Sequence, residues 1–435
     1  MSHWYPREFA EHVFRLLTED RSAYPLDQCL DRSTLENILS ICYQASFMRE
    51  EERPARFRLI IRNPENFPPG QSPPDGLHRI EFTEPRPCSE DELRRLFPAA
   101  SFHRSMIGVT LDEDTQPHIW GIVHTGPRWL QLIHGGTQEI SPLPDSLIVF
   151  VTGPGRITVS VGLTMVAGLR GGRLINVAKD VLSSGWFEDF FAPNQDELWR
   201  LHQEAREKYG IGWATIAREF PMVLGQNLMR RVISLICNYH HGGMLIIVPM
   251  EFSEEIKETN PYLNIKYTFQ SDEGRLRVLQ HIAHIMNEFA RTVGKHGYRT
   301  DPIGWSDYQT ISTPVLSRMD ETLFEKAHLL AELTRVDGAV ALNRRFELLG
   351  FGAEISSGLD TVATVQRALD IEGVKREPES VRRVGTRHRS AYRLCKALHG
   401  VLAVVVSQDG QVRFVRWHDG EVTYWDQLAT SILDF

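Results

Sequence analysis

The sequence predicts a two-domain protein: an N-terminal α+β domain with a mainly antiparallel sheet, and a C-terminal α/β domain whose mixed sheet is flanked by helices. The chain has 435 residues, more than a single core usually holds. Residues 78–170 show short apolar strands broken by turns. Later in the chain, helical spacing alternates with buried strands. We therefore expect domains at residues 1–215 and 216–435.

Composition excludes several classes of protein. The formal net charge is −8, which argues against the broad basic face of a nucleic-acid binder. The five cysteines lack CxxC spacing, so neither a zinc site nor a disulfide framework is predicted. No apolar run reaches the roughly 18 residues that a membrane span requires. We expect a soluble, cytoplasmic protein with neither a membrane nor a nucleic-acid partner.

The N-terminal domain combines three helices with several short strands. Apolar residues at helical spacing predict helices over residues 7–18, 33–47 and 89–97. Residues 63–74 are rich in proline and predict a loop. The expected strands are residues 57–61, 78–83, 105–112, 118–124, 128–134, 146–151, 155–161 and 163–168.

Two glycine-rich turns in this domain carry arginines. Residues 153–156 and 168–173 combine accessible backbone N–H groups with Arg156, Arg170 and Arg173, a pattern typical of anion sites. We hypothesise that they line a site for a small-anion or nucleotide effector. The alternative is a pair of hairpin turns with solvated arginines.

A helical region and an α/β region follow. Residues 174–235 favour helices, interpreted as a connector between the two domains. The apolar composition of residues 244–248 predicts a buried strand. The other expected elements are helices at 197–209, 213–236, 274–292 and 323–333, a strand at 262–269, a loop at 294–314, a hairpin at 401–424 that closes the sheet, and a final helix at 425–435.

The segment Asp337-Gly338-Ala339 lies where a helical pattern gives way to a strand. Gly338 lacks a Cβ, so the backbone there can approach a ligand closely or adopt a positive φ. Asp337 offers a hard oxygen ligand of the kind that holds Mg²⁺ or Mn²⁺ beside substrate phosphates. The alternative is that Asp-Gly simply turns the chain.

The segment 385–390 precedes a helical pattern. The N–H groups at a helix start attract anions, and Arg387 and Arg389 add multi-donor phosphate binders at the same place. Cations there oppose the helix dipole, so a bound anion explains them better than helix stability does. The alternative is a solvated basic turn. Together with Asp337, this helix start favours phosphoryl or nucleotidyl transfer.

Both segments resemble motifs of the diadenylate cyclase domain. Asp337-Gly338-Ala339 is similar to that family's DGA motif, and Gly385-Thr386-Arg387-His388-Arg389 is similar to its RHR motif. The glycine pair and strand at 242–248 resemble its first core strand, and the hairpin that contains Ser407 resembles the hairpin after its RHR helix. The resemblance covers roughly residues 220–425.

The resemblance implies an enzyme that condenses two ATP molecules into cyclic di-AMP and releases two pyrophosphates. Two subunits would meet face to face, each holding one ATP, with Mg²⁺ or Mn²⁺ as the cofactor. Asp337 would ligate the metal and help to activate the attacking hydroxyl. The resemblance assigns catalysis to Asp337, Arg387, His388 and Arg389, and ATP binding to Gly338, Ala339, Thr386 and Ser407.

Two departures from the family pattern leave alternatives open. Gln408 and Asp409 stand where family members often carry glutamate, and residues 350–354 stand where the family often has a Leu-Pro pair near the adenine. One alternative is a catalytically silent nucleotide-binding signalling module. Another is a cyclase of the same fold that uses other nucleotides. In each case we expect the N-terminal domain to be a sensor for an unidentified small molecule or protein.

Overall fold

The computed structural model describes residues 3–19, 30–73, 76–102, 104–126, 144–162, 164–176, 180–210, 212–257, 260–269, 276–295, 301–311, 313–408 and 410–427. The described residues up to Asn176 form one compact unit, and those from Asp180 to Gln427 form a second. In these ranges no helix is both long and apolar enough to cross a bilayer.

The N-terminal unit places helices beside an eight-stranded sheet. As predicted, the sheet is mainly antiparallel: β3 and β5 run parallel, and the other neighbouring strands are antiparallel. Its strand order is β10-β9-β8-β7-β3-β5-β6-β4. The elements are α1 (Pro6–Glu19), α2 (Arg32–Ala45), α3 (Glu90–Leu96), β1 (Arg49–Glu50), β2 (Arg53–Pro54), β3 (Phe57–Ile61), β4 (His78–Pro87), β5 (Ser105–Leu111), β6 (Pro117–His124), β7 (Leu147–Gly153), β8 (Arg156–Val161), β9 (Thr164–Arg170) and β10 (Arg173–Asn176).

The two faces of this sheet bury different side chains. Phe57 and Leu59 of β3 join the core formed with α1, α2 and α3, which we call the helix-side core. Ile60, on the opposite face, packs with Trp120 and Phe150 in a smaller aromatic cluster. Alternation along each strand separates the two sets. The strand predicted at 128–134 lies outside the described residues.

The second unit is a nine-stranded mixed sheet with helices on both faces, in the order β12-β14-β13-β11-β17-β18-β19-β15-β16. The neighbouring pairs β11 and β13, and β15 and β19, run parallel. The elements are α4 (Gly185–Tyr209), α5 (Phe220–Asn238), α6 (Ser253–Lys257), α7 (Val278–Gly294), α8 (Trp305–Thr310), α9 (Pro314–Leu333), α10 (Thr386–Ala397), β11 (Gly243–Val248), β12 (Leu263–Tyr267), β13 (Ala339–Asn343), β14 (Leu348–Ile355), β15 (Thr364–Ala368), β16 (Arg376–Ser380), β17 (Leu402–Val406), β18 (Val412–His418) and β19 (Glu421–Gln427).

Strand β11 lies at the centre of this unit and is buried on both faces, as its composition predicts. Leu245 and Ile247 face a core shared with α4, α5, α7 and α9. Met244 and Ile246 face the core that holds α10. Helix α4, which the sequence assigns to a connector in the first domain, therefore packs within the second unit.

Several sequence-based boundaries differ from the structure. The helix predicted to begin at 213 begins at Phe220, with Pro221 in its first turn, a position suited to a residue without an N–H. The final helix predicted from 425 is wrong at its start, because Trp425 lies in β19 opposite Phe414; residues 428–435 are outside the described chain. The hairpin does not close the sheet, since β15 and β16 continue beyond β19. The loop predicted at 294–314 contains α8.

Candidate functional site

Three strand ends meet at one end of the second sheet. Leu245 of β11 pairs with Val340 of parallel β13, so β13 begins beside the start of β11. Gly243 pairs with Val406 of antiparallel β17, so β17 ends there. Asp337 and Ser407 therefore lie at the same end of the sheet. The strands that carry them are two strand spacings apart, about 10 Å.

Gly242 and Gly243 connect the segments that meet at this end. Gly242 has φ +70°, and a Cβ added to it would lie 2.8 Å from the Val406 carbonyl oxygen and 2.9 Å from Nη1 of Arg387. A Cβ on Gly243 would lie 2.7 Å from Oγ1 of Thr334, three residues before Asp337. We call Gly242-Gly243 the glycine junction. The resemblance of residues 242–248 to the family's first core strand points to these glycines. Their proximity to Arg387 cannot be read from the sequence.

Helix α10 begins as predicted, with Gly385 as its N-cap and no acidic residue in its first turn. A Cβ added at Gly385 would meet no atom within 4 Å, so the space beside this helix start is open. Thr386 is exposed there. The first-turn N–H groups and the helix dipole favour an anion at this position.

The three residues after Thr386 have different surroundings. Half-buried Arg387 donates from Nη1 to the His241 carbonyl at 3.3 Å, which directs its guanidinium to the glycine junction. Arg389 is exposed, and His388 is half-buried with its ring centroid 6.5 Å from that of Tyr392. Neither Arg387 nor Arg389 forms an ion pair with any described residue. Two cations without carboxylate partners at a helix start are suited to an anionic ligand.

The turn before β13 depends on Gly338. Its φ is +112°, and an added Cβ would lie 2.6 Å from the Gly352 carbonyl carbon and 2.9 Å from the Ala353 nitrogen. Ala339 follows, buried and paired with Ala353. Asp337 is exposed, and no ion pair or side-chain hydrogen bond joins it to another described residue. The close packing of Gly338 on β14 thus presents the Asp337 carboxylate to solvent.

Charged and aromatic side chains that the sequence does not identify lie near this turn. Lys266 pairs with Glu354 at 2.6 Å. The pKa of Lys266 is raised, mainly by Glu354 and to a smaller extent by the negative charges of Tyr267 and Asp337. On the same two strands, the rings of Tyr267 and Phe351 stack at 4.7 Å. They form an aromatic surface beside the turn, with Tyr267 half exposed.

Ser407 closes the turn between β17 and β18. Its Oγ accepts a hydrogen bond from the Gln411 N–H at 3.0 Å, and its own N–H donates to the Gln411 carbonyl at 2.9 Å. The Gln408 nitrogen approaches the glycine junction, 3.1 Å from the position of a Cβ on Gly242. The turn and Arg387 therefore both lie beside Gly242. Asp409 lies outside the described residues.

A polar network behind α10 holds the helix on the sheet. Nη1 of Arg413 donates to the Tyr392 hydroxyl at 3.2 Å, and Nε of Arg413 donates to Asp426 at 2.9 Å. The Tyr424 hydroxyl donates to Glu379 at 2.6 Å. Burial raises the pKa of Tyr392 to about 12, so its hydroxyl remains a neutral partner for Arg413. Tyr392 follows His388 by one helical turn. This spacing is the signal in the sequence that could have identified Tyr392 as a neighbour of the motif.

A divalent cation at this site would need ligands beyond the protein. The described residues contain no group of three or more His, Cys, Asp or Glu side chains arranged to hold a metal ion. Mg²⁺ commonly binds through one or two carboxylates together with substrate phosphates and water. The exposed, unpaired carboxylate of Asp337 fits that kind of site.

Comparison with known proteins adds information about the N-terminal unit. A family model described as "Probable sensor domain DACNV" matches residues 24–124. No curated protein and no solved structure matches the chain. The matched segment runs from before α2 to the end of β6 and is similar to the N-terminal sensor of diadenylate cyclase proteins. The match supports a signalling protein with an N-terminal sensor domain.

Proposed function

We propose that the chain is a diadenylate cyclase that joins two ATP molecules into cyclic di-AMP and releases two pyrophosphates, under the control of its N-terminal sensor domain. The observation that carries the proposal is the glycine junction. It contacts Arg387 of the RHR-like segment, Thr334 on the approach to Asp337, and the turn containing Ser407. The segments that resemble the cyclase motifs are thus neighbours at one end of one sheet.

In this proposal, the start of α10 binds the phosphates. Thr386 is exposed, and the space where a Cβ on Gly385 would lie is open. Arg387 donates to the His241 carbonyl. A triphosphate there gains charge-assisted hydrogen bonds from donors that are already oriented. His388 and Arg389 complete the motif. Arg389, exposed on the same helix turn, is available to a second nucleotide.

The exposed carboxylate of Asp337 suits it to position the attacking 3′-hydroxyl and, with substrate phosphates, to hold Mg²⁺ or Mn²⁺. When bound, the ion would polarise a phosphoryl oxygen and lower the pKa of a coordinated hydroxyl. Gly338 has no side chain and packs directly on β14, where any side chain would collide. The small residues Gly338 and Ala339 therefore leave the backbone beside Asp337 uncovered. The nucleotide can therefore approach the turn closely.

The reaction balances with one nucleotide in each of two subunits. The 3′-oxygen of each ATP forms a bond to the α-phosphorus of the other, and the bond from that phosphorus to the β-phosphate oxygen breaks. Each hydroxyl loses its proton, and each α-phosphate loses pyrophosphate. Since a single chain is proposed to hold one ATP, two chains must face each other, and we expect the isolated monomer to be inactive.

An aromatic surface near this turn is suited to stacking with a purine base. The half-exposed ring of Tyr267 on β12 stacks on the half-buried ring of Phe351 on β14, and aromatic faces stack on bases with little sequence preference. This surface does not discriminate adenine from guanine. A cyclase of the same fold that accepts another purine nucleotide is therefore the nearest alternative.

A catalytically silent nucleotide-binding module is the second alternative. The Ser407 hydroxyl oxygen already accepts the Gln411 N–H within its turn, and Gln408 stands where family members often carry glutamate. Such a module would bind ATP in the same place without turnover.

Product analysis distinguishes these possibilities. The purified chain is incubated with ATP, with GTP and with their mixture, each with Mg²⁺ or Mn²⁺, and the products are resolved by mass. We expect cyclic di-AMP from ATP alone. A mixed or guanine product would instead support the alternative cyclase. Measurable ATP binding with no product from any mixture would support the silent module.

A further inference from the structure

A hairpin of the second unit holds the start of helix α4. Strands β15 and β16 pair antiparallel, and we call the turn between them, residues 369–375, the hairpin tip. The Glu372 carboxylate accepts a hydrogen bond from the Gly185 N–H at 2.9 Å. The Ile371 carbonyl accepts one from Nε1 of Trp186, also at 2.9 Å. The first two residues of α4 are therefore bonded to a segment about 185 positions away in the sequence.

Glu372 caps α4 in place of a residue from the local sequence. Ser184 occupies the N-cap position but makes no capping bond with its side chain. Its hydroxyl donates to the Val181 carbonyl instead. The N–H groups in the first turn of a helix need acceptors from outside the helix, and the helix dipole favours a carboxylate there. The hairpin tip thus supplies the cap that a neighbouring residue would ordinarily supply.

The hairpin tip has a defined shape and packs on the sheet. The Asp370 carboxylate accepts a hydrogen bond from the Lys375 N–H at 2.7 Å, which closes the turn. A Cβ added to Gly373 would lie 2.6 Å from Cζ2 of Trp425 on β19, so the tip contacts the ring directly. The rings of Trp425 and Trp186 lie 4.5 Å apart. The tip, the start of α4 and β19 therefore pack against one another.

The second strand of the hairpin leads directly to helix α10. Strand β16 ends at Ser380, and Gly385, the N-cap of α10, follows five residues later. The Val381 N–H donates to the Ala363 carbonyl, just before β15, at 3.2 Å, so the short connection is also bonded to the hairpin. A displacement of the hairpin would therefore be felt at the start of α10, where the proposed function places the phosphates.

A further contact joins α4 to the strand that follows the Ser407 turn. Nη1 of Arg416 donates to the Trp186 carbonyl at 3.3 Å, and its guanidinium carbon lies 5.2 Å from the centre of the Trp186 ring. Arg416 belongs to β18, the strand that begins just after this turn. The first turn of α4 thus contacts two segments that extend to the candidate site.

We propose that the hairpin couples the start of α4 to the start of α10, with Glu372 as the positioning residue of this connection. Along the chain, α4 is the first helix after the N-terminal unit, so a change passed along the chain from that unit reaches α4 first. The bond between Glu372 and Gly185 is exposed and can break without opening the core. The inference rests on the proposed function for its consequence, control of phosphate binding at α10, whereas the coupling itself does not require turnover.

Hydrogen exchange on the full-length chain tests the coupling. Glu372→Ala removes the cap, so we expect amide exchange at least fivefold faster in peptides covering residues 185–190 and also in peptides covering residues 381–390. Glu372→Gln keeps a side-chain oxygen as acceptor and should restore slow exchange in both segments. Glu421→Ala removes an exposed carboxylate at the start of β19 on the same sheet. It is the matched control and should exchange like wild type in both segments.

Two results would overturn the proposal: faster exchange in Glu372→Ala at residues 185–190 alone, which would make Glu372 only a cap, or unchanged exchange in both segments. If Glu372→Ala melts well below wild type, Trp186→Phe replaces it as the test. That variant loses the bond to the Ile371 carbonyl, and unchanged exchange at residues 381–390 would again overturn the proposal.

Product analysis of the same samples keeps this proposal apart from the proposed function. Coupled exchange in a chain that forms no cyclic di-AMP would contradict the proposed function and leave the coupling in place. Cyclic di-AMP formation with no change at residues 381–390 in Glu372→Ala would contradict the coupling and leave the proposed function in place.

Discussion

The two units assemble their cationic surfaces in different ways. In the second unit, Arg387 and Arg389 come from one contiguous segment at the start of α10. In the first unit, Arg56 precedes β3, whereas Arg156 and Arg170 lie on β8 and β9. Strand pairing sets Arg156 directly opposite Arg170, and burial and the charge of Arg156 lower the pKa of the distant Arg56. A contiguous motif can be recognised before folding is known. A surface assembled by register can be recognised only after the strands are paired.

The largest effect on activity should come from substitution of Gly242, which lies between Arg387 and the turn that contains Ser407. Gly242→Ala introduces a Cβ at φ +70° between the Val406 carbonyl and Arg387. We expect a loss of stability of about 1–2 kcal/mol and a roughly hundredfold fall in cyclase activity, because a misplacement of about 1 Å can have that effect. Thermal melting and product formation measure the two effects.

Gly225→Ala is the matched control for this substitution. Gly225 lies inside α5, and a Cβ there meets no atom within 4 Å. The change should leave turnover within about twofold and raise stability by roughly 0.5–1 kcal/mol, since Ala favours a helix interior. Equal losses of activity in the two variants would mean that the glycine junction does not position the site.

A smaller effect should follow from Arg387→Lys. Lysine keeps the charge but lacks the planar guanidinium group that donates to the His241 carbonyl. We expect kcat/KM for ATP to fall about tenfold, the effect of losing one charge-assisted hydrogen bond. Arg393→Lys, later on the same helix, should change little in the same steady-state assay. Indistinguishable kinetics of Arg387→Lys and wild type would remove Arg387 from phosphate binding.

The smallest effect on activity should come from Tyr392→Phe, a substitution on the face of α10 that packs against the sheet. Tyr392→Phe removes the hydroxyl that accepts from Arg413 and should cost about 1 kcal/mol of stability, with turnover within about twofold. The pKa of Tyr392 is about 12, against an ordinary value of 10.0. Between these pH values the unfolded chain releases the tyrosine proton while the folded chain keeps it, so wild-type stability falls as pH rises.

Denaturant titrations at several pH values measure this linkage. The phenylalanine variant cannot ionise at this position, so the stability advantage of the wild type should shrink above pH 10 and change sign before pH 12, because a raised pKa of about 12 corresponds to about 1.4 kcal/mol per pH unit. A difference that stays constant across this range would contradict the assigned role of the buried hydroxyl.

The sequence predicts the elements with clear periodicity and misses those without it. Strand β11 and the start of α10 agree with the structure because one is uniformly apolar and the other follows a capped helical pattern. Strand β14 is missed since Gly350 and Gly352 interrupt its apolar residues. Strand β16 is missed because its sequence Arg-Glu-Pro-Glu-Ser has no buried face.

The candidate site likewise contains residues that the sequence identifies and contacts that it does not. Asp337 and Arg387 are identifiable from local sequence, whereas the contact of Arg387 with the glycine junction joins residues about 145 positions apart and requires the pairing of β11 with β17. Likewise, Tyr267 and Phe351 become a surface only because β12 and β14 are neighbours. Pairings between distant strands are not encoded in local spacing.

The central claim is that Asp337 serves a two-ATP condensation at this end of the sheet. The most direct measurement is mass-resolved product formation from ATP and Mn²⁺ by wild type and by Asp337→Asn, with a chelator added to a parallel wild-type sample. We predict cyclic di-AMP and pyrophosphate from wild type. We expect at least a hundredfold less from the variant, which loses a charge from an isosteric side chain, and none after metal removal. Full activity in a folded Asp337→Asn protein would contradict the account.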